Sequence, residues 1–497
     1  GLGDVYKRQG PLSADRTVTI DNDEWQAVQG AIPETATWEK DTRIHVTSNL
    51  TVAEGVTLLI QSGCVVKLAP KIEVTVLGKL IVEGTREAPV VFCPEKRDVP
   101  WGGITLKGDA ASTETSWMFV TGSGGNPWWF VANNIAGTHR QEQAAFFLGE
   151  GAKGTFSDCF FIDNAGQAFH GETSQLTLDR CVVQRCQTVG QFNGGSVTIR
   201  DRALLDFPSD SDTFEDGDND ALYFTLGEHK ITGTLIGWCK DDGIDAGGDS
   251  PGTVHVSGCW IESCFHEGLA LSGADKIVRV LDSVIINCGQ AIEVGYLSPN
   301  VTLERCLLTG NGIGARFGDN YNGAHLGFLS MTSSVSIFNQ RDVWGMSRNL
   351  WEEKISRMKI KGNHLSRLHD SFPDNRVWVP AEHPELLSPF LSRSPFVTGV
   401  GFRGWDRLVA PGRITIGLSR PAIETVQIHF KVRAVDQNGD TGSVFADGKL
   451  EFQPGETAKE ISLQIPGIEK ADSFRVELSE EVNSKLTGPA SVLFQSL

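Results

Sequence analysis

The chain has 497 residues, more than one ordinary hydrophobic core accommodates, so its length predicts two or three structural units. Its 62 acidic and 44 basic side chains give a formal net charge of −18, which argues against nucleic acid and anionic membrane surfaces as partners. Hydrophobic residues make up 40% and charged residues 21%, as in globular proteins, and no apolar run is long enough for a membrane helix.

The first 34 residues precede the repetitive part of the chain. Residues 1–9 match the translated frame of a sequencing-library adapter, so we expect them to be a scar without structural meaning. Residues 10–34 are predicted to be the tail of a preceding, truncated domain. Because we expect the natural N-terminus to be missing, the cellular location has to be inferred from the type of fold and not from a signal peptide.

A repeat of 22 to 24 residues runs through the centre of the chain. Equivalent segments begin at Cys159, Cys181, Cys259, Ser283 and Cys306, with spacings of 22 (159 to 181), 24 (259 to 283) and 23 (283 to 306). Each segment ends in Cys or Asn, and a glycine-containing turn and a second short strand follow it. This period predicts a solenoid, in which each coil buries its apolar face only against the next coil.

The pattern resembles the right-handed parallel β-helix of the pectate-lyase-like superfamily over residues 35–369. A leucine-rich repeat has a similar period, but its Leu/Asn consensus is absent. The resemblance implies coils about 4.8 Å apart with a continuous core, in which the repeated cysteines act as packing residues. It leaves function open, because the same fold occurs in lyases, hydrolases, adhesins and inert stalks.

The chain changes character after the repeats. Residues 370–408 contain several prolines and no repeat, which predicts a linker that packs along the solenoid. Strict alternation in residues 409–497 predicts a β-sandwich, and its segments Leu450–Thr457 and Val476–Ser479 resemble the Calx-β family. The predicted fold is therefore all-β, a right-handed parallel β-helix solenoid followed by a small β-sandwich.

Acidic side chains of the central coils give the sharpest indication of a site. Residues 210–220 contain six acids, and Asp241, Asp242 and Asp245 follow one coil later. If the coils stack in register, two columns form: Asp220, Asp242, Glu267 and Gln290 at a turn, and Tyr223, Asp245, Ala270, Glu293 and Arg316 on an outward strand face. Carboxylates stacked this closely repel by about 1–4 kcal/mol per pair.

Three arrangements would relieve this repulsion: a bound calcium ion, a carboxyl that stays protonated, or side chains splayed into water. The segment Asp241–Asp245 looks like the calcium cluster of one β-helical pectate lyase family. That resemblance implies calcium as the cofactor and a Lys or Arg as the proton-abstracting base, for which Lys276 and Arg316 are the nearest candidates. The predicted metal ligands are Asp218, Asp220, Asp241, Asp242 and Asp245.

A second resemblance is to polygalacturonases, which stack Asn-x-Asp, Asp-Asp and Gly-His-Gly motifs on consecutive coils. Here Asn219-Asp220, Asp241-Asp242 and His266-Glu267-Gly268 fall on consecutive coils, but Glu293-Val294 stands where the family has Arg-x-Lys. The candidate catalytic residues are Asp242, His266, Glu267, Glu293 and Arg316. The candidate substrate-binding residues are Tyr223, Trp128 and Trp129, although the two tryptophans equally suit an aromatic plug over an early coil.

A third resemblance is to β-helix regions of large bacterial surface proteins that carry spore-coat-H-like kinase and lamin-tail domains. It is carried by Asp218–Tyr223 and Asp241–Asp245 and implies an extracellular or cell-surface module, monomeric within a larger chain. Two functions remain open. One is a module with an acidic, calcium-binding groove for adhesion or polysaccharide binding; the other is a calcium-dependent polysaccharide lyase or polygalacturonase-like hydrolase acting on acidic polysaccharide. The expected partner is a polysaccharide or cell-surface glycan, without nucleic acid or membrane insertion.

Overall fold

The computed structural model describes residues 24–201, 203–207, 219–321, 323–345, 355–378, 390, 399–402, 413–418, 425–435, 441–453, 456, 458–462, 473–486 and 491–495. Strands dominate these ranges, and the helical elements with defined bounds are α1 (Trp129–Ala132) and a 3₁₀ turn (Ile355–Arg357). Within the described ranges, no helix has the length and apolarity needed to cross a membrane.

The first part of the chain forms thirty-six strands of a parallel solenoid. The first eighteen are β1 (Gln26–Ile32), β2 (Ala36–Trp38), β3 (Arg43–Val52), β4 (Thr57–Gln61), β5 (Val65–Leu68), β6 (Val74–Val76), β7 (Lys79–Glu83), β8 (Val90–Pro94), β9 (Ile104–Leu106), β10 (Ser112–Ser116), β11 (Met118–Val120), β12 (Phe146–Leu148), β13 (Lys153–Ser157), β14 (Phe160–Ile162), β15 (Phe169–Asp179), β16 (Val182–Gln184), β17 (Gly190–Arg200) and β18 (Ala203–Phe207). The second eighteen are β19 (Leu222–Thr232), β20 (Leu235–Cys239), β21 (Ile244–Ala246), β22 (Gly252–Ser257), β23 (Trp260–Glu262), β24 (Glu267–Gly273), β25 (Lys276–Leu281), β26 (Val284–Ile286), β27 (Gln290–Leu297), β28 (Asn300–Glu304), β29 (Leu307–Thr309), β30 (Ile313–Phe317), β31 (Phe328–Thr332), β32 (Val335–Ile337), β33 (Arg341–Trp344), β34 (Met358–Lys361), β35 (His364–Leu365) and β36 (Arg376–Val377).

These strands pair in parallel from coil to coil and build three faces over about 13 turns. The first face, on which the site lies, contains β6, β9, β12, β21, β24, β27, β30 and β33, together with parts of the longer strands β1, β3, β15, β17 and β19. The predicted coil register is present: Val182 pairs with Phe160 and Leu307 with Val284. The all-β solenoid prediction is therefore confirmed.

The alternation within each strand explains why this sequence coils. In β3, β4 and β5 a buried residue alternates with a more exposed one along most of each strand, and the buried positions are Val, Ile or Leu. Their side chains join one continuous core that extends from Ile32 to Phe372. All ten cysteines are free thiols, and nine of them are buried. β1 already pairs with β3, so the paired coils begin at Gln26, before the predicted boundary at residue 35.

An insertion covers the early part of the first face. Residues 121–145, between β11 and β12, carry α1 and place Trp129 and Phe130 over that face. The Phe130 ring lies 4.6 Å from the His170 ring, and the Trp129 ring lies 5.0 Å from the Phe147 ring. His170 and Phe147 are consequently buried, so the insertion covers the outward side of the first face on these coils.

The described C-terminal residues form two four-stranded sheets. The strands are β37 (Gly399–Phe402), β38 (Arg413–Leu418), β39 (Val426–Val435), β40 (Thr441–Phe452), β41 (Ala458–Ser462), β42 (Ser473–Val482), β43 (Lys485–Leu486) and β44 (Ser491–Gln495). One sheet has the order β41-β38-β37-β43 and the other β40-β39-β42-β44. Ile416 of the first sheet and Val476 of the second belong to one buried core, which confirms a small β-sandwich. Its relation to the Calx-β family stays a prediction.

Candidate functional site

A groove runs along the first face between β19 and β30, with a cavity volume of about 770 Å³. Polar and aromatic side chains dominate its lining, whereas the residues beneath it belong to the apolar core. The groove begins at the coil of Tyr223, where the covering insertion ends. Its polar lining residues include His139, Asp220, Tyr223, Asp241, Asp242, Asp245, His266, Glu267, Ser272, Gln290, Glu293, Tyr296, Asp319, Asn320 and Tyr321.

The strand pairing places the predicted outward column in register. Tyr223 pairs with Asp245, Asp245 with Ala270, Ala270 with Glu293, and Glu293 with Arg316. Residues as far apart in sequence as 223 and 316 therefore line one face at successive coil heights. The small side chain of Ala270 leaves space between the polar groups on either side of it.

The predicted turn column is held by carboxylate-to-amide hydrogen bonds. The backbone N–H of Asp242 donates to Asp220 Oδ1 at 3.2 Å, and the N–H of Glu267 donates to Asp242 Oδ1 at 2.7 Å. Each carboxylate thus accepts the turn N–H of the following coil, which satisfies a buried backbone donor. Asp220 and Asp242 are 3% and 7% exposed, so both carboxyl groups lie at the floor of the groove.

Crowding of acids changes the protonation of Asp242. Burial raises the pKa of this carboxyl well above its usual range, and the negative charges of Glu267, Asp220 and Asp241 raise it further. The Asp242 carboxyl therefore keeps its proton to a higher pH than an ordinary aspartate does. Protonation is one of the three arrangements expected from the sequence.

A network of four side chains continues the site on the next two coils. Gln290 Nε2 donates both to Glu267 Oε1 and to Glu293 Oε2, the latter at 2.8 Å. Arg316 Nη1 donates to Glu293 Oε2 at 2.8 Å, and Arg316 is 3% exposed. Burial and the Glu267 charge raise the pKa of Glu293 to about 8 although Arg316 opposes the shift. Glu293 can therefore hold a proton at neutral pH next to a charged partner.

His266 and Asp241 form a second polar pair one coil away. His266 Nδ1 lies 2.9 Å from Asp241 Oδ1, and the ring of Phe265 stacks at 5.4 Å from the imidazole. Asp241 is almost fully buried, whereas the His266 side chain is 37% exposed toward the solvent. The pair lies beside Asp242, since Asp241 and Asp242 are consecutive in the turn before β21.

Two tyrosines border the far end of the groove, and one carboxylate fixes both. Asp319, 1% exposed, accepts the backbone N–H of Tyr296 at 2.6 Å and that of Tyr321 at 2.9 Å. His325 Nε2 lies 2.8 Å from the same carboxylate. A Cβ on Gly295 would lie 2.6 Å from Asp319 Oδ2, so a larger residue here would displace that carboxylate. The two tyrosine rings lie 5.9 Å apart, edge to face.

The insertion over the early coils forms the other end of the groove. Gln191 Nε2 donates to the carbonyl of Gly137 at 2.6 Å, and the His139 N–H donates to Gln191 Oε1 at 3.0 Å. These bonds bring the His139 ring to 3.9 Å from the ring of Tyr223. The groove therefore has a wall at His139 and Tyr223.

Most predicted site residues meet in this groove. Asp220, Tyr223, Asp241, Asp242, Asp245, His266, Glu267 and Glu293 line it, and Arg316 contacts it through Glu293. Asp218 lies outside the described residues.

The two tryptophans are not part of the groove. Trp129 is 2% exposed, and its Nε1 donates to Glu73 Oε2, so it is an aromatic plug and is unavailable for stacking on a sugar. Trp128 is 65% exposed but does not line the groove. Lys276, a candidate base, is 1% exposed and donates to the carbonyls of Thr225 and Ser250.

Several groove residues had weak signals in the sequence or none. Tyr296 and Ser272 follow the predicted column positions on their strands, but nothing in their type distinguishes them from ordinary surface residues. Tyr321 and His139 belong to segments without the repeat, so the coil period does not place them. For Asp319, the sequence shows only an acidic residue in a turn that follows the predicted acidic coils.

The predicted calcium ligands do not converge as a set. Among the described residues, one group brings three potential ligand side chains together, and it contains Asp241, Asp242 and His266 but neither Asp220 nor Asp245. Calcium takes six to eight oxygen ligands, and an imidazole nitrogen is not among those it favours. These residues therefore fit calcium poorly, and calcium at this site stays a prediction.

Comparison with known families agrees with the architecture. Residues 30–123 match the family model of the pectate-lyase-like β-helix domain, and residues 195–330 match that of the right-handed β-helix region. No curated protein sequence matches the chain.

Solved structures with a similar fold share little sequence with this chain. A periplasmic alginate epimerase is 11% identical, with 64% of this chain and 76% of that chain covered and a TM-score of 0.40. The A-module of a mannuronan C-5 epimerase from Azotobacter vinelandii is 11% identical (69% and 91% covered, TM-score 0.29). The tailspike protein of an Acinetobacter baumannii phage is 10% identical (84% and 68% covered, TM-score 0.28). Together, the family matches and the coil register show a parallel β-helix, in which residues 30–123 resemble the pectate-lyase-like β-helix domain and residues 195–330 the right-handed β-helix region.

Proposed function

We propose that this protein is an extracellular or cell-surface module that binds a polysaccharide in the groove of the first face. The observation that carries the proposal is the groove itself, an elongated cavity of about 770 Å³ lined by carboxyl, amide, imidazole and phenol groups. Such planar polar groups form paired hydrogen bonds with the hydroxyls of sugars, and aromatic faces pack on pyranose rings.

Tyr296 and Tyr321 are the aromatic groups best placed for this role. Tyr321 is 58% exposed, and Asp319 fixes the backbone at both tyrosines. A glycan would therefore meet a preorganised aromatic border, which lowers the entropic cost of binding.

The charge of the groove indicates which glycans it accepts. Its described lining contains seven carboxyl groups, of Asp220, Asp241, Asp242, Asp245, Glu267, Glu293 and Asp319, and no lysine or arginine. This excess of acid disfavours a polyuronate, whose own carboxylates would be repelled. The proposed ligand is consequently a neutral or amino-sugar polysaccharide, which departs from the acidic polysaccharide expected for the enzymatic alternative.

Affinity electrophoresis in gels containing galactomannan, xyloglucan, chitosan or polygalacturonate tests this proposal. We expect a neutral or amino-sugar gel to retard the protein, and the variants Tyr296→Ala and Tyr321→Ala to lose most of that retardation. Phe328→Ala is the matched control, because Phe328 is 39% exposed and does not line the groove. Migration unchanged in all four gels, or strongest retardation by polygalacturonate, would overturn the proposal.

A second candidate function, glycoside hydrolysis, is favoured by the pair Glu267 and Glu293. Both carboxyl groups accept a hydrogen bond from Gln290 Nε2, so their bonded oxygens lie at most about 6 Å apart. This separation suits retaining rather than inverting glycosidases. Glu293, with its pKa of about 8, would give its proton to the leaving oxygen as the glycosidic bond breaks. Glu267 would form the covalent bond to the anomeric carbon, and water activated by Glu293 would then release the sugar.

The hydrolase candidate is tested with the glycan that retards the protein most. We expect new reducing ends with retained anomeric configuration, seen by proton NMR, and loss of turnover in Glu293→Gln and Glu267→Gln. Glu114→Gln, at an exposed glutamate outside the groove, serves as the control. Retardation without new reducing ends would leave a binding module and exclude the hydrolase. A lyase is less favoured, because Lys276 and Arg316 are both engaged in buried hydrogen bonds.

A further inference from the structure

The polar side chains before β21 and β24 form a mixed ligand set. Asp241 and Asp242 lie in the turn that precedes β21, and His266 lies one coil later, directly before β24. Because Ile244 pairs with Leu269, His266 stacks over Asp241 and Glu267 over Asp242. One nitrogen and two carboxylate oxygens of Asp241, Asp242 and His266 lie within 4.8 Å of one another.

We propose that Asp241, Asp242 and His266 form a binding site for a transition-type divalent cation, represented by Zn²⁺ or Mn²⁺, rather than for Ca²⁺. The donor set decides the class of ion. Imidazole nitrogen suits zinc, copper, iron and nickel, and carboxylates suit zinc and manganese, whereas calcium selects oxygen alone.

The surroundings of the three ligands support this assignment. The ring of Phe265 stacks on His266, and the Glu267 N–H donates to Asp242 Oδ1 at 2.7 Å, so a ligand on each coil is oriented by its neighbours. The His266 side chain is 37% exposed toward the groove, which leaves a route for the ion and an open coordination position for water or a hydroxyl group.

The local charge also favours a cation. Asp220 and Glu267 flank the set on the groove floor, and Arg316 donates to Gln290, Glu293 and Asn320 farther along the groove. A divalent ion at Asp241, Asp242 and His266 would offset the repulsion between these neighbouring carboxylates.

Isothermal titration calorimetry of the full chain, without a histidine tag, with ZnCl₂, MnCl₂ and CaCl₂ tests the site. We expect Zn²⁺ or Mn²⁺ to bind with a stoichiometry of one and more tightly than Ca²⁺. His266→Ala should weaken that binding at least about tenfold. The matched control is His255→Ala on β22, which should bind as the wild type does.

Two further measurements report which side chains bind the ion and which ion is preferred. X-ray absorption at the zinc edge should show one imidazole among oxygen ligands, and His266→Asp should shift the preference toward Ca²⁺. Zn²⁺ and Mn²⁺ binding that is absent from the wild type, or unchanged in a folded His266→Ala variant, would overturn the assignment, as would tighter binding of Ca²⁺. The proposed glycan binding is measured separately in gels that contain a chelator, so the two proposals fail independently.

Discussion

Asp242 accepts the backbone N–H of Glu267 through its Oδ1 at 2.7 Å, across the boundary between two coils. A side chain of one coil thereby completes the backbone hydrogen bonding of the next. Asp220 does the same for Asp242. The acids at the groove floor are therefore acceptors of backbone hydrogen bonds as well as candidate functional groups. A substitution that keeps the acceptor oxygen but removes the charge separates the contribution to folding from the contribution to function.

Asp242 provides the first test of this separation. Asp242→Asn keeps an acceptor oxygen and removes a crowded carboxyl, so we expect it to fold with stability at least equal to that of the wild type. Asp242→Leu leaves the buried Glu267 N–H without its acceptor and should lower the free energy of unfolding by about 1–3 kcal/mol. Urea denaturation of both variants measures the difference, and equal midpoints would contradict it.

Arg316 should contribute strongly to stability because it is buried with Glu293. Its side chain is 4% exposed, and its removal leaves the buried Glu293 carboxyl without this donor, so Arg316→Ala should cost about 1–3 kcal/mol. The control is Arg305→Ala, since Arg305 pairs with Asp282 and Glu304 at the exposed surface. Chemical denaturation should show a large loss for the first variant and almost none for the second; similar losses would refute the distinction.

Glu293 should make stability fall as the pH rises. Its pKa is raised from 4.5 to about 8, so between these values the folded protein keeps a proton that the unfolded chain has released. The contribution is complete below about pH 4.5 and is lost as the pH rises through about 8. Thermal melts from pH 5 to pH 9 should show a decline that is shallower in Glu293→Gln but unchanged in Glu114→Gln, an exposed control. A decline equally steep in all three proteins would exclude this origin.

Asp319 should couple stability to glycan binding. Asp319→Ala removes the acceptor of the Tyr296 and Tyr321 N–H groups, which should lower the free energy of unfolding by about 1–3 kcal/mol for each donor left buried and unpaired. Retardation in glycan gels should fall together with stability. Asp275→Asn, at an exposed left-handed turn position with a serine partner, is the control and should change neither property. Full retardation in Asp319→Ala would show that Asp319 does not position the tyrosines.

The cysteines should not respond to redox conditions while the protein is folded. All ten are free thiols, and burial raises the pKa of those at Cys259 and Cys306 to about 12. We therefore expect the same Tm with and without dithiothreitol and slow labelling by a thiol reagent, with partly exposed Cys93 reacting first. A lower Tm in reductant would reveal a disulfide and contradict the thiol assignment.

The sequence predicts the coil register and most of the groove for one physical reason. Short strands with an apolar residue at every second position can bury those residues only by stacking, and the repeat length then sets which residues meet. Tyr223, Asp245 and Glu293 could be aligned on this basis alone, and the structure pairs their strands in that register.

The remaining features depend on segments that do not repeat. The sequence leaves Trp129 as either a sugar-stacking platform or an aromatic plug, and the fold of its insertion, which no periodicity predicts, buries it against Phe147 as a plug. His139 and Tyr321 also line the groove from segments outside the coil repeat, so the repeat length could not place them. The sequence predicts Asp241 and Asp242 as metal ligands and the register brings His266 to the next coil, but the approach of its ring to Asp241 also depends on side-chain orientation, which the repeat does not predict.

Backbone pairing between adjacent coils has a consequence for how such a protein can change over evolutionary time. Since each coil contacts only its two neighbours, duplication of one complete coil would lengthen the first face and leave the remaining strand pairs intact. An insertion of that length between β21 and β24 would separate Asp242 from Glu267, whereas one beyond β30 would extend the ligand contacts and keep the acids together. Whole-coil gain or loss is thus a simple genetic route to descendants that accommodate longer or shorter ligands.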